Sequence, residues 1–290
     1  MSAAPPLLPA PPAARWPWPP LVQASVALHA GAAALAFVPG QWPLALGAVL
    51  ADQAVLTAAG LWPRSALLGP NVRRLPAARA GRGEIAITID DGPDPQVTPR
   101  VLDQLDAADA RATFFCIAAR AAAQPALLRE IVRRGHAVQN HSHDHRHHFA
   151  LLGPRGLATE IGRAQAVLAE LTGRLPHCFR APAGLRNPLL DPVLHRLDLH
   201  LVSWTRRGFD TRVRDPARVL QRLTRGLAAG DILLLHDGNA RRCDSGQPVI
   251  VEVLPALLQR CRAAGLHTVT LDEALARRGA AAGILRDAPR

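Results

Sequence analysis

Glu84-Ile85-Ala86-Ile87-Thr88-Ile89-Asp90-Asp91-Gly92-Pro93 is the stretch from which the rest of the chain can be read. Residues 85–89 are mostly apolar and mostly β-branched, the composition of a strand. Two adjacent carboxylates then stand where the strand ends. The same alternation continues downstream. Strand-like runs at 113–117, 137–140, 177–180, 199–204, 232–236 and 267–270 are separated by helix-like runs at 98–107, 125–133, 155–171, 188–197, 216–228 and 249–264. Gly135, Gly230 and Gly265 each stand between a helix and the next strand, where helix-ending glycines belong. Seven strands alternating with helices predict a parallel sheet, open or closed into a barrel.

Chemistry gathers at one end of these strands. Asp90-Asp91 follows the first, His141 the third, Arg180 ends the fourth, and His236-Asp237 closes the sixth. The carboxyl edge of a parallel sheet is where α/β folds place their active sites. Neighbouring residues on an extended chain point to opposite sides, so Asp90 and Asp91 suit two different roles. An Asp-Gly pair is also ordinary turn chemistry. The run His141-Ser142-His143-Asp144-His145-Arg146-His147-His148 is the densest in histidine. Two imidazoles four residues apart on a helical turn can grip one metal. His141/His145 and His143/His147 both fit, as does His145/His148 at three residues. His141/His145 is adopted because His141 directly ends a strand. Two histidines and a carboxylate around a metal leave room for water and substrate. The metal activates water and polarises a carbonyl, a second carboxylate takes the proton, and a histidine opposite protonates the leaving group. That set describes metal-assisted hydrolysis.

The first 80 residues read differently. A Pro/Ala-rich start, residues 1–20, precedes two apolar stretches, 21–38 and 44–62, joined by Pro39-Gly40-Gln41-Trp42-Pro43. Each is close to the roughly 20 helical residues that cross a bilayer. Trp16, Trp18, Trp42 and Trp62 flank them, where interfacial aromatic belts sit. A membrane hairpin is expected, with a cleaved signal peptide or a soluble helical hairpin as rivals. His29 and Asp52 are equidistant from the turn, so an antiparallel hairpin sets them at one depth, paired. Arg64, Arg73, Arg74, Arg79 and Arg82 follow the second stretch while the turn is uncharged, which predicts both ends on the cytoplasmic side of a bacterial inner membrane. Two domains are therefore expected, 1–80 and 81–290.

Composition narrows the partners. All 34 basic residues are arginine and the formal net charge is +11. The arginines are scattered, with no basic helix face interleaved with aromatics, so nucleic acid is excluded as the expected partner. A basic surface facing anionic lipid or an acidic glycan fits better. The four cysteines form no CxxC, so zinc-ribbon and thioredoxin readings fail, and buried inert thiols are expected.

The motifs, in order, resemble a known family. Thr88-Ile89-Asp90-Asp91-Gly92-Pro93 resembles the first motif of the polysaccharide deacetylases (NodB homology, carbohydrate esterase family 4). His141 to His145 is similar to its second motif, Arg180-Ala181-Pro182-Ala183-Gly184 to its third, and Leu234-Leu235-His236 to its fifth. The resemblance covers residues 82–275. It implies a deformed (β/α)7 barrel that removes N-acetyl groups from amino sugars of a glycan or lipid-linked sugar. It implies a divalent metal, most fittingly Zn2+, on Asp91, His141 and His145. Asp90 would be the general base, oriented by Arg180, and His236 the general acid. The backbone N–H of Ala183 would serve the oxyanion, and Leu234 would wall the acetyl pocket. In the fourth motif Trp204 and Asp210 keep the family's spacing, but Thr211 replaces its tryptophan, and Ala183 replaces an aromatic in the third. Asp210 is expected to orient His236, and Trp204 to line the substrate or fill the core. Of the remaining groups, His136 reads as structural, Asp237 as an orienting or turn residue, and Arg206-Arg207 as surface or as contacts to an acidic substrate. Two other functions fit the same residues: a membrane-anchored glycan-binding pseudoenzyme, and a hydrolase of another amide.

Overall fold

The computed structural model describes residues 15–276, so the Pro/Ala-rich start is outside it up to residue 14. Eight strands form one sheet: β1 Glu84–Asp90, β2 Ala112–Cys116, β3 Ala137–Asn140, β4 Cys178–Phe179, β5 His200–Leu201, β6 Arg206–Arg207, β7 Ile232–His236 and β8 His267–Thr268. Seven follow the order β5-β4-β3-β2-β1-β7-β6, and β8 pairs with the start of β1. Every pairing is parallel. The sheet curls into an incomplete barrel. Helices Thr98–Ala107, Pro125–Arg133, Pro154–Thr172, Leu190–Arg196, Pro216–Thr224 and Val249–Ala263 connect the strands.

Three elements depart from the expected pattern. Short helices Ala118–Ala123 and Leu271–Leu275 span too few turns to show a period. Strand β6 lies in a segment read as surface or as contacts to an acidic substrate, not as a strand. Its two arginines carry no strand signal, and pairing with Leu233 and Leu234 of β7 makes it a strand.

Alternation along the long strands builds two layers. Ile85, Ile87 and Ile89 of β1 join Phe114, Leu233 and Leu235 in the core beneath the helices. Ala86 joins Phe115, Ile232, Leu234 and Trp204 in the barrel interior. Both faces are apolar, which is why these strands read as continuous hydrophobic runs. The inward face ends, one pair beyond Thr88 and Leu234, in Asp90 opposite His236. Packing thus decides which side chains enter the site. All four cysteines are buried free thiols, as expected.

The barrel is open between β5 and β6, and the chain before β1 crosses that gap. Val72 bridges Val202 and Arg74 bridges Asp231. The Val72 amide donates to Leu201 (2.9 Å), the Ser203 amide to Val72 (2.8 Å), and the Leu75 amide to Gly230 (2.8 Å). Residues before the expected boundary at 80/81 therefore complete the barrel wall.

Helices Pro20–Ala36 and Trp42–Leu61 pack as a hairpin. Among the described residues only Trp42–Leu61 is long and apolar enough to cross a membrane; Pro20–Ala36 has 17 residues. Leu44, Leu46, Leu50, Val55 and Phe37 stand exposed on this hairpin. Asp52 is buried between the helices, where Ser25 Oγ donates to its Oδ2 (2.7 Å) and His29 Nδ1 lies 3.7 Å from it. The pair expected from symmetry about the turn is at ion-pair distance, with Ser25 as the nearer partner. The hairpin's exit is fixed to the barrel. Ser203 Oγ donates to the Pro63 carbonyl (2.6 Å), and the Arg186 amide donates to Gly60 (3.2 Å). A Cβ on Gly60 would sit 2.2 Å from the Arg186 carbonyl oxygen, so only glycine permits this approach.

Candidate active site

Three loops at the carboxyl ends of β1, β3 and β7, with one after β4, converge on a buried cluster. Asp90 is the last residue of β1, and Asp91 follows at φ 76°. This corrects the expectation that the two carboxylates diverge. The left-handed turn at Asp91 swings its side chain back beside that of Asp90. His141 Nε2 is 3.2 Å from Asp91 Oδ1 and 3.8 Å from Asp90 Oδ2.

A non-glycine residue with this backbone costs on the order of 1–3 kcal/mol and must be held by its surroundings. The Asp91 amide donates to Phe115 (3.2 Å) and its carbonyl accepts from Arg120 Nη1 (2.7 Å). Asn239 Nδ2 donates to Asp91 Oδ2 (2.8 Å). Gly238 lies so close that a Cβ there would be 2.2 Å from the Asp91 carbonyl oxygen. Arg120, Gly238 and Asn239 were not foreseen. The only sequence signal was the Gly238-Asn239 turn following His236-Asp237.

The histidine run is a loop here, with Ser142 at φ 65° and His145 at φ 52°. The i,i+4 spacing therefore works without the helical turn it suggested. Ser142 Oγ accepts from the His145 amide (3.0 Å), and Asn140 Oδ1 from the Ser142 amide (2.8 Å), which folds the loop back. His145 Nε2 then lies 3.3 Å from Asp91 Oδ1. His143 turns away to Asp144 (2.6 Å), and His147 and His148 are exposed.

Asp91, His141 and His145 thus bring one ligand atom each to within 4.8 Å of one another. Asp91 Oδ1, the atom between the two imidazoles, is buried and has no hydrogen-bond partner among the described residues. An orphaned carboxylate oxygen facing two imidazole nitrogens is the donor set a divalent cation satisfies. His141 Nδ1–H donates to the Arg180 carbonyl (2.8 Å), which turns Nε2 toward the site. Burial opposes charge on Asp91, but the imidazoles of His141, His236 and His145 around it hold its carboxyl below the usual range. Burial, with His141 alongside, lowers His145 to about 4, so it is neutral and available as a ligand at neutral pH.

Two ion pairs flank this centre. Arg180 is fully buried and donates from Nη1 to Asp90 Oδ1 (2.6 Å) and Thr88 Oγ1 (2.8 Å). Its other nitrogens reach the carbonyls of Val202 (3.2 Å) and Ser203 (3.0 Å), and its Cζ lies 4.0 Å over the Phe115 ring. On the other side, His236 Nδ1–H donates to Asp210 Oδ1 (2.9 Å), while the His236 amide donates to Asp210 Oδ2 (2.7 Å). Burial opposes the charge on His236, but the Asp210 carboxylate outweighs it and raises the imidazole to about 9. Asp210 is itself fully buried.

The remaining expected residues are placed as follows. Ala183 is exposed, at φ 54°, in a short turn, Pro182–Gly184, after β4. Leu234 is buried in the interior two residues before His236. Trp204 packs beside it in the same cluster, and its ring reaches Gly184. The Asp237 carboxylate bonds to Thr98 rather than to the His236 imidazole. Its Oδ2 accepts from Thr98 Oγ1 (2.5 Å) and its carboxylate fits against Gly92, so it serves the turn. Burial raises its carboxyl to about 7. His136 accepts the Ala112 amide at Nδ1 (3.3 Å), a structural role.

Residues 77–202 match the family profile described as Polysaccharide deacetylase. The chain is also 34% identical over 158 residues to a chitooligosaccharide deacetylase of Azorhizobium caulinodans, covering 54% of this chain and 75% of that protein. The chain belongs to the polysaccharide deacetylase family. Another relative is the peptidoglycan-N-acetylglucosamine deacetylase of Listeria monocytogenes, 29% identical over 202 residues, 70% of this chain. The match spans 41% of that relative's length. Among solved deacetylase-family structures, a family 4 carbohydrate esterase from Streptomyces lividans, in complex with acetate, is 31% identical. It covers 64% of this chain and 91% of that one, with a TM-score of 0.58.

Proposed function

We propose that this polysaccharide deacetylase family member is a membrane-attached, metal-dependent hydrolase that removes N-acetyl groups from amino sugars of a glycan or lipid-linked sugar. The observation that carries the reading is the convergence of Asp91, His141 and His145 between two oriented groups of opposite function, Asp90 on Arg180 and His236 on Asp210. A binding module has no use for a histidine kept protonated by a buried carboxylate, which disfavours the pseudoenzyme alternative.

Asp91, His141 and His145 would hold the metal, with Zn2+ best suited to this Asp/His set. Bound there, the metal would supply an activated water and polarise the acetyl carbonyl. Asp90, fixed by Arg180, takes the proton of the attacking water. The backbone N–H of Ala183 donates to the developing oxyanion. His236 is protonated below about pH 9 and gives its Nε2 proton to the departing amine, while Asp210 keeps the imidazole oriented. Leu234 and Trp204 wall the acetyl methyl.

The N-terminal hairpin is proposed as the membrane anchor, with the barrel, including the crossing at Val72 to Leu75, as the catalytic domain on the cytoplasmic side of the inner membrane. The exposed leucines and valine of Trp42–Leu61, and the arginines just after it, support this. The protein should remain in the membrane fraction through a carbonate wash; release by that wash would remove the anchor from the proposal.

The central test is acetate release from free, polymeric and lipid-linked N-acetylglucosamine by the full chain. Chelation should abolish release, and added Zn2+ should restore it. Asp91→Ala and His145→Ala should lose the metal, while His143→Ala keeps it. A protein that binds metal and glycan yet releases no acetate from any of these sugars would be a pseudoenzyme.

A further inference from the structure

Strand β6 carries an arginine that the hydrolytic machinery does not use. Its two residues part ways. Arg206 Nε pairs with Asp231 Oδ2 (2.5 Å), and its other nitrogens reach the carbonyls of Arg225 and Gly226. Arg207 stands in register with Leu234, whose side chain faces the barrel interior. Its Cζ lies 5.3 Å from the Trp204 ring centroid and 5.0 Å from that of Phe209. Its Nε is buried without a hydrogen-bond partner, and among the described residues no carboxylate lies at ion-pair distance. The charges of Asp90, Asp210 and Asp91 all reach it. Arg180, by contrast, has every nitrogen donating to oxygen.

A half-buried guanidinium without a counter-ion is costly. Stacking between two rings offsets part of that cost and fixes the plane of the fork. What the fork lacks is an acceptor, and a planar guanidinium matches the paired oxygens of a phosphate or carboxylate. We propose that Arg207 is a specificity residue that binds an anionic oxygen group, phosphate or carboxylate, carried by the amino sugar near its N-acetyl group. This rests on the deacetylase reading of the same site and narrows its substrate class to acidic amino sugars.

The test compares sugar binding by calorimetry in wild type, Arg207→Gln and Arg207→Lys, using the full chain. The probes are N-acetylglucosamine, the same sugar with an anomeric phosphate, and N-acetylmuramic acid. Hydrogen bonds to a charged group predict that wild type binds one acidic sugar about 10–100-fold more tightly than the neutral one. The phosphate probe identifies a phosphosugar and the muramic acid probe a carboxylate. Arg207→Gln should abolish the preference and Arg207→Lys should keep part of it. In acetate release, the same preference should appear mainly in KM rather than kcat. Equal affinities in wild type, no binding of any sugar, or a preference that survives Arg207→Gln would overturn the assignment. If Arg207→Gln does not fold, wild type across the three sugars and Arg207→Lys decide it. If binding follows the expected pattern but no sugar releases acetate, the deacetylase reading fails and the anion site stands.

Discussion

Asp90→Asn is expected to yield a folded protein that binds metal normally and turns over about 10²–10⁴-fold more slowly, the contribution of a general base. The substitution keeps the shape and leaves an amide oxygen to accept from Arg180 Nη1, now 2.6 Å from Asp90 Oδ1. It removes only the group that takes a proton. Metal content should be unchanged because the atom between the two imidazoles belongs to Asp91, not Asp90. Metal analysis and acetate-release kinetics on the same preparation check both halves. Loss of metal in Asp90→Asn, or full activity, would reverse the roles given to the adjacent carboxylates.

Asp210→Asn should act through pH. In the wild type, burial disfavours the His236 cation and Asp210 restores it, to about 9. The proton donor is therefore present at neutral pH, and activity should fall only as pH rises through about 9. With an amide at 210, burial is opposed only by the charges of Asp90 and Asp91, and His236 falls below its wild-type value. The alkaline limb of the profile should move to lower pH, with the largest loss of activity between neutral pH and about 9. Stability should follow the same sign. A histidine raised on folding contributes fully below its unfolded value of about 6.5, and that contribution disappears as pH rises through about 9. The variant should lose this slope. An unchanged profile would mean that His236 is not the acid.

The parts of the fold carried by long, doubly buried strands were legible. β1 and β7 are apolar on both faces, and their inward positions lead directly to Asp90 and His236. That His141 reaches this edge was also legible, because it directly follows β3. Less legible was anything set by tertiary pairing or an uncommon backbone. β6 has no intrinsic strand signal and exists through β7. Asp91 was read as part of an extended chain, whereas its left-handed turn reverses the side chain. The residues that hold this turn come from elsewhere: Arg120 from the helix after β2, Gly238 and Asn239 from the loop after β7. No local pattern could associate them with Asp91.

The short crossing of the open barrel by Val72 to Leu75 bears on how the protein can be cut. A soluble fragment beginning at residue 81 would strip Leu201 and Ser203 of the backbone partners that Val72 supplies, and Gly230 of Leu75. That would leave raw strand edges on both sides of the seam. Such edges recruit strands from other molecules. The fragment should therefore self-associate with rising concentration, whereas one begun at Pro63, keeping the crossing but shedding the apolar hairpin, should stay dispersed.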